Sequence, residues 1–257
     1  MDPLTIGGIV AALAAILGSM ILEGSSPMAL ILPAPMVLVF VGTFAVGAAG
    51  MTLPNFLYSV KSLQKALMGA IPKSDELVTT IVKCAETARR EGLLALESLV
   101  GSIEEPLLRR GLELAIDGTD PDALGEILDA EVESARKHGA IPAKLFEAMG
   151  GYAPTIGIIG TVIGLVHVLG NLSDPANLGE MIASAFIATL WGVLSANVIW
   201  LPIGAKLKLV AELEHTRNEL IVEGVLAIQS GANPRMVDRK LRALLPATEA
   251  ASAEKAA

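Results

Sequence analysis

Charged residues are scarce in this sequence. Only 18% of the 257 residues are charged, against about 25% in a typical soluble domain. Charge is absent between Asp2 and Glu23, between Glu23 and Lys61, between Glu147 and Asp174, and between Glu180 and Lys206. A helix needs about 20 apolar residues to cross a hydrocarbon core of about 30 Å, and one central charge adds about 2.5–3.5 kcal/mol to the free energy of insertion. These stretches exclude an ordinary soluble domain and predict an all-α integral membrane protein with four transmembrane helices.

Cysteine and histidine are almost missing as well. The single cysteine, Cys84, excludes a disulfide framework. The three histidines, His138, His167 and His215, are far apart in sequence, and none is close to Cys84. We therefore expect no metal site, no cofactor and no nucleophilic centre, and hence a protein that is not an enzyme. A net charge of −8 without a clustered basic face argues against a nucleic-acid partner.

The hydropathy pattern divides the chain into four parts. Residues 1–53 hold the first two transmembrane helices, 54–147 form a helical cytoplasmic domain, 148–205 hold the third and fourth transmembrane helices, and 206–257 form a helical extension and tail. The four spans are predicted over about Leu4–Leu22, Ala34–Leu53, Gly150–Leu172 and Met181–Ala205. The second span is placed to start near Ala34 because Pro33 and Pro35 disfavour a regular helix before it.

The positions of proline and glycine predict where the helices outside the spans begin and end. Asp120 followed by Pro121 supplies an N-cap and a first-turn proline, and His138-Gly139 marks the exit of that helix. The last twelve residues, 246–257, are small and polar and are predicted to be disordered. The other predicted helices cover Asn55–Ala70 (broken by Ile71-Pro72), Ser74–Val100 (with Gly92 and Gly101 as weak points), Glu104–Ile116 and Lys206–Ser230.

Basic residues predict the orientation. Of the 19 Lys and Arg residues, eleven lie within 61–144 and eight from 206 onward, and none lies in 23–34 or 171–180. Lysines close to helix ends decide topology by the positive-inside rule, and Lys61, Lys65, Lys144, Lys206 and Lys208 are so placed. We therefore expect a multi-pass protein of the bacterial inner membrane with both termini and the helical domain in the cytoplasm.

The third and fourth spans are rich in small residues and hydroxyls. The third has six glycines, including Gly160-x-x-x-Gly164, and the fourth carries a stripe of Ala185, Thr189, Gly192 and Ala196. Small residues let helices approach closely, whereas the hydroxyls favour a polar path or simply bond their own backbone. Two prolines, Pro154 and Pro202, are interpreted either as tolerated near helix ends or as a pair of hinges at one level of the membrane.

No carboxylate lies well inside a span. Ion paths normally carry an intramembrane ionisable group, and His167 is the only titratable side chain well within the apolar run. It is interpreted as a packing element, with proton carriage as the alternative. If this chain conducts ions, the carboxylate must come from another chain.

These features resemble a known family. The segments GGYAPTIGIIGTVIGLVHVLGNL, IASAFIATLWGVLSANVIWLPIGAKLK, ARREGLLALE and GANPRMVDRKLRALL, and the order of spans around a cytoplasmic domain, resemble MotA-type flagellar stator subunits of the MotA/TolQ/ExbB group. The resemblance implies a homopentamer around the helices of two MotB-like single-span partners, which supply the aspartate that carries the ion. Pro154 and Pro202 would lie near that aspartate. Thr189, and with it Thr155 and Thr161, would face the path of a proton, with sodium as the alternative.

The same resemblance implies contact with the rotor switch protein FliG through Arg89, Arg90 and Glu97. In an unbroken helix Arg90 and Glu97, seven residues apart, would share one face, with Arg89 about 80° away from Glu97. A solvated charged surface is the alternative for these residues. Two other functions stay open: an energiser of the TolQ/ExbB type that drives a periplasm-spanning partner, and a membrane scaffold that conducts no ions.

Overall fold

A computed structural model describes residues 4–68, 74–173 and 177–245, and every regular element among them is helical. The predicted break at Ile71-Pro72 and the predicted disordered tail, 246–257, lie outside the described residues. The α-helices are α1 (Leu4–Leu22), α2 (Pro33–Ala49), α3 (Leu53–Met68), α4 (Asp75–Glu91), α5 (Glu97–Val100), α6 (Pro106–Ile116), α7 (Pro121–Gly139), α8 (Ile141–Gly170), α9 (Leu178–Ser195), α10 (Leu201–Gln229) and α11 (Pro234–Ala243). Two 3₁₀ turns cover Pro27–Leu30 and Leu93–Leu96, and a π-helical turn covers Ala196–Trp200.

Three helical stretches of the described chain are long and apolar enough to cross a membrane: Leu4–Leu22 and the apolar parts of Pro121–Gly170 and Leu178–Gln229. Helix α2 is apolar but has only 17 residues. It begins at Pro33, beside the expected start, and ends at Ala49 instead of Leu53. Helix α1 occupies the predicted range.

The chain forms two compact units, residues 1–70 with 140–210 and residues 71–139 with 211–257. In the first, here called the apolar unit, α2 and α9 pack against α8. Helix α1 contributes no buried residue. The larger side chains of its core meet at one end of α8, where Leu145, Phe146 and Met149 pack with Ile203 and Leu207.

Aromatic side chains tie α2 to the helices around it. Phe40 makes edge contacts with Trp191 and Trp200, with ring centroids 5.5 and 6.3 Å apart. The indole Nε1–H of Trp191 donates to the carbonyl of Leu30, at 2.7 Å. Since a buried indole donor needs a partner, this bond fixes the turn before α2 against α9.

The second unit, here called the polar-surface unit, has a core of large aliphatic side chains. Buried leucine, isoleucine and valine residues from α4, α6, α7, α10 and α11 form one continuous cluster. Asp120 caps α7, because its Oδ1 accepts from the backbone N–H groups of Asp122 (3.0 Å) and Ala123 (3.4 Å), as predicted. Asn233 caps α11 in the same way through Arg235 N–H, at 3.1 Å.

Two predicted helices need correction. The helix expected over Ser74–Val100 is broken, because Gly92 adopts φ +88° and ends α4 at Glu91; glycine takes this conformation at no steric cost. Helix α8 starts at Ile141, well before the span limit placed at Gly150. Pro154 therefore lies in the interior of a 30-residue helix and not in its first turn.

Candidate functional site

Helices α8 and α9 touch at the level of the backbone. A Cβ atom on Gly157 would lie 2.8 Å from the carbonyl oxygen of Ala188, and one on Gly192 would lie 2.6 Å from that of Ala153. Gly164 faces Ala185 at a comparable distance, 2.6 Å between its hypothetical Cβ and the Ala185 Cβ. Only glycine at these positions permits the approach, so the predicted packing role of the small residues is confirmed.

The close approach brings two hydroxyls together. The Oγ1 atoms of Thr161 on α8 and Thr189 on α9 are 2.5 Å apart. Thr161 Oγ1 also lies 2.9 Å from the Ala185 carbonyl oxygen, and both hydroxyls lie 3.3 Å from the Gly157 carbonyl oxygen. Each threonine is half-buried.

Two hydrogen-bond patterns satisfy this pair equally well, because each hydroxyl has one proton and can both donate and accept. In one, Thr189 donates to Thr161 and Thr161 donates to Ala185. In the other, Thr161 donates to Thr189 and Thr189 donates to Gly157. The pair is therefore a short polar chain whose direction can reverse, set in an otherwise apolar helix contact.

Thr155 does not join the pair. Its side chain is exposed, and its hydroxyl donates to the Tyr152 carbonyl oxygen at 2.7 Å, within the same helix. Of the three predicted path threonines, the structure thus brings together Thr161 and Thr189 and leaves Thr155 satisfied by its own backbone.

Both prolines lie next to one contact between α8 and α10. Gly150 packs under Leu201, whose Cγ would lie 2.6 Å from a Cβ on Gly150. Pro154 follows Gly150 by one helical turn and removes the helical donor for its carbonyl, and Pro202 follows Leu201 directly. Pro154 and Pro202 are both half-buried.

The π-helical turn before Pro202 was not predicted. Leu201 N–H donates to the carbonyl of Ala196, five residues back, so one residue is added to the helical repeat just before the proline. π-helical turns concentrate at functional sites. The sequence signal for it was the proline alone, which predicts an interruption without its type.

The three predicted rotor-contact residues are all exposed. Arg89 and Arg90 lie in the last turn of α4, and Glu97 is the first residue of α5, beyond the break at Gly92. The assumption that they share one unbroken helix is therefore wrong. Arg90 approaches Glu91 at 3.9 Å with 80% of its side chain exposed, so it is not held by that neighbour.

Two further ionisable candidates are His167 and Cys84. The side chain of His167 is exposed on α8, and its backbone carbonyl accepts from Asn171 Nδ2 at 2.8 Å. Cys84 is buried in the polar-surface unit, and burial raises the pKa of its thiol. Among the described residues, no group of three or more His, Cys, Asp and Glu side chains is arranged to hold a metal ion.

The chain is similar to known proteins over most of its length. A sequence profile described as the MotA/TolQ/ExbB proton channel family matches residues 100–219. "Motility protein A" of Bacillus subtilis (strain 168) is 34% identical over 252 residues, covering 97% of this chain and 93% of that protein. The chain belongs to the MotA/TolQ/ExbB proton channel family.

Solved structures agree with this membership. The structure of MotAB from C. jejuni matches with a TM-score of 0.92 at 30% identity, covering 96% of this chain and 97% of that one. The flagellar MotAB stator complex from Bacillus subtilis matches with a TM-score of 0.86 at 33% identity, covering 95% and 96%. The predicted resemblance to this family is confirmed, and the matched profile includes the pair of helices that holds Thr161 and Thr189.

Proposed function

We propose that this chain is a flagellar motor stator subunit that, with a MotB-like partner, couples ion flow across the inner membrane to torque on the rotor. The observation that carries the proposal is the Thr161–Thr189 hydroxyl pair at the backbone contact of α8 and α9. The sequence has no Asp or Glu between Glu147 and Asp174 or between Glu180 and Lys206. A polar path without its own acidic carrier needs a second chain to complete it.

The partner is a MotB-like single-span protein that supplies the ion-carrying aspartate. Next to the threonine pair, α8 and α9 leave apolar side chains exposed, among them Ile158, Val162, Phe186 and Val193. Such a face suits helices of other subunits. Two similar solved structures are described as MotAB complexes, which supports a homo-oligomer, proposed here to be a pentamer, around the partner helices.

The proposed topology has four transmembrane helices, with α2 as the shortest. Residues 1–53 and 148–205 would hold the two pairs of spans, the second being the ion-path pair, and residues 54–147 and 206–257 would lie in the cytoplasm with both termini. Support comes from the lysines near the helix ends, Lys61, Lys65, Lys144, Lys206 and Lys208.

The proposed ion is a proton, with sodium as the alternative. A hydroxyl pair that can reverse its donor direction suits proton passage, whereas hydroxyl and carbonyl oxygens together are also ligands that hard cations accept. The driving free energy is about 2.3 kcal/mol per charge for each 100 mV of membrane potential. Swimming speed and ion flux measured at fixed pH while sodium is varied decide between the two: neither depends on sodium if protons drive the motor.

Ion flux through the complete complex tests the path. We expect flux into liposomes that contain this chain with its partner, none with this chain alone, and a large loss of flux for Thr189→Val, which keeps the side-chain shape but removes the hydroxyl. Thr43→Val is the matched control, because the Thr43 hydroxyl also lies on a proposed transmembrane helix, α2, but has no hydrogen-bond partner among the described residues. Strong conductance by the isolated chain, or equal effects of the two substitutions, would contradict the proposal.

The proposed rotor contact, with the switch protein FliG, uses Arg89, Arg90 and Glu97. Exposed ion pairs contribute about 0–1 kcal/mol each, which suits a contact that forms and releases repeatedly. Charge reversal by Arg90→Glu with Glu97→Lys should stop swimming while membrane insertion and partner binding stay normal. The control reverses an exposed pair on α7, Glu133→Lys with Arg136→Glu. Normal swimming by the first double variant would overturn the assignment.

A further inference from the structure

A glutamate, Glu147, lies on the same face of α8 as Pro154 and Thr161. Residues seven apart on an α-helix differ by about 20° around its axis, and Glu147, Pro154 and Thr161 follow one another at this spacing. All three lie within α8, which runs unbroken from Ile141 to Gly170. At about 1.5 Å per residue, Glu147 lies about 21 Å along the helix from Thr161. The face of α8 that carries Thr161 thus ends in a carboxylate.

Helix α10 meets this carboxylate side chain directly. A Cβ on Gly204 would lie 3.1 Å from Glu147 Cγ and 3.1 Å from its backbone nitrogen. Gly204 follows Pro202 by two residues, so the Glu147 stem lies beside the segment of α10 that contains the second proline. The Glu147 side chain is exposed to solvent. Glu147 therefore reaches water beside the segment of α10 that contains Pro202.

Glu147 is the only carboxylate among the described residues at this end of the apolar unit. The other carboxylates among the unit's described residues are Glu23, which follows α1, and Glu180, in the first turn of α9. Both belong to the opposite end, because α2 and α9 run antiparallel to α8: Gly47 faces Met149, and Gly164 faces Ala185. The other charged residues among the unit's described residues are lysines, and they lie on the elements that meet this end of α8: Lys61 and Lys65 on α3, Lys144 on α8, and Lys206 and Lys208 on α10.

We propose that Glu147 accepts the transported ion at the cytoplasmic mouth of the path and passes it to water. This assignment rests on the proposed function. For a proton, a carboxylate oxygen of Glu147 takes it from the partner's carboxylic acid, directly or through water, and then gives it to bulk water, which regenerates the charged carboxylate. Among several lysines that repel a departing cation, one carboxylate supplies the local attraction that the exit needs.

The test measures proton or sodium flux per assembled complex in proteoliposomes that contain this chain with its single-span partner. A positioned acid or base contributes about 10²–10⁴-fold to a proton transfer in an enzyme. Since water reaches the exposed Glu147 position and replaces part of its role, we expect Glu147→Gln to lower flux about tenfold. Glu147→Asp, which keeps the acid, should stay within about twofold of the unchanged protein. Glu180→Gln, at the opposite end, is the matched control and should have no effect.

A second readout separates ion transfer from a structural role. In cells, Glu147→Gln should slow rotation at low load, where ion transfer limits speed, and leave the torque at stall unchanged. Equal flux in Glu147→Gln and unchanged complexes overturns the assignment, and so does an equal loss in Glu147→Asp or a parallel loss of stall torque. If the unchanged complex conducts no ions, the proposed function itself fails, and the two failures are thus distinguishable.

Discussion

The two units hold their helices together by different means. In the apolar unit the closest helix contacts are between backbones, at Gly157 and Gly192, with only hydrogen atoms in the place of side chains. In the polar-surface unit the contacts are made by large side chains: of the twelve largest fully buried side chains in the described parts of the chain, all except Leu145 and Met149 belong to it. The apolar unit exposes its large residues instead, such as Ile163, Val166 and Leu169 on α8.

The proposed topology, with the apolar unit in lipid and the polar-surface unit in water, accounts for this difference. In water, burial of apolar area stabilises by about 25 cal/mol per Å², which favours a core of leucine and isoleucine. In lipid that driving force between helices vanishes, and close approach of small residues stabilises through van der Waals contact. The comparison teaches that glycine positions matter most in one unit and leucine positions in the other.

The largest expected effect comes from enlarging Gly192. A Leu side chain there would collide with the Ala153 carbonyl and the Gly157 backbone, which cannot yield as a flexible side chain does. Gly192→Leu should therefore abolish swimming and the recovery of a homogeneous detergent-solubilised complex. Gly170→Leu is the control, since nothing lies within 4 Å of a Cβ at Gly170, and it should behave as the unchanged protein. Similar recovery of both variants would show that the backbone contact at Gly192 does not require glycine.

The second effect concerns a leucine of the other unit. Leu128 is fully buried in the polar-surface core, whereas its neighbour Ile127 is 41% exposed. Leu128→Ala should lower the free energy of unfolding by about 2–5 kcal/mol, because it leaves a cavity. Ile127→Ala removes a similar volume and should cost far less. Thermal unfolding of the solubilised protein measures both, and equal shifts in midpoint would show that burial is not what stabilises this unit.

Sequence alone predicted those features that local chemistry determines. The limits of α1 and the Asp120 cap of α7 agree with the structure. Each depends on residues within about one turn of the position in question. The family resemblance predicted more than these local features, because it depended on several segments of the chain together.

Features set by distant contacts were not predictable. The Thr161–Thr189 pair joins residues 28 apart, and its register depends on Gly157 meeting Gly192. The early start of α8 was missed because Lys144 and Glu147 mark the limit of an apolar span and not the end of a helix. Gly92 was noted only as a weak point, since a glycine is tolerated inside a helix at a cost of about 1 kcal/mol and need not end it.

A smaller effect is expected at the ion pairs that hold α11. Arg242 donates to Asp75 Oδ1 at 2.7 Å and to Asp238 Oδ1 at 2.8 Å, and it is 36% exposed. Partial exposure screens both pairs, so Arg242→Ala should cost about 1 kcal/mol. Arg239→Ala, on the exposed side of the same helix, is the control. A loss as large as that of Leu128→Ala would mean that charge, rather than apolar area, dominates this unit.

The smallest effect is a dependence on pH in the polar-surface unit. The Arg136 guanidinium donates to both carboxylate oxygens of Glu133, at 2.7 and 2.8 Å, and lowers the pKa of that carboxyl to about 2, with Lys137 contributing. The unfolded value is about 4.3. The pair therefore stabilises the fold above about pH 4.3, and this contribution is lost as the pH falls toward about 2. Because the Glu133 side chain is 43% exposed, solvent and salt leave only a slight stabilisation.

The measurement compares the thermal midpoints of the unchanged protein and Glu133→Gln between pH 6 and pH 3. We expect the unchanged protein to be slightly more stable at pH 6 and its advantage to shrink as the solution is acidified. In an Arg136→Gln background the same substitution should have less effect, since the main cause of the shifted pKa is gone. A difference that grows on acidification would have the wrong sign for a lowered pKa, and the ion pair would then not be the source of the pH dependence.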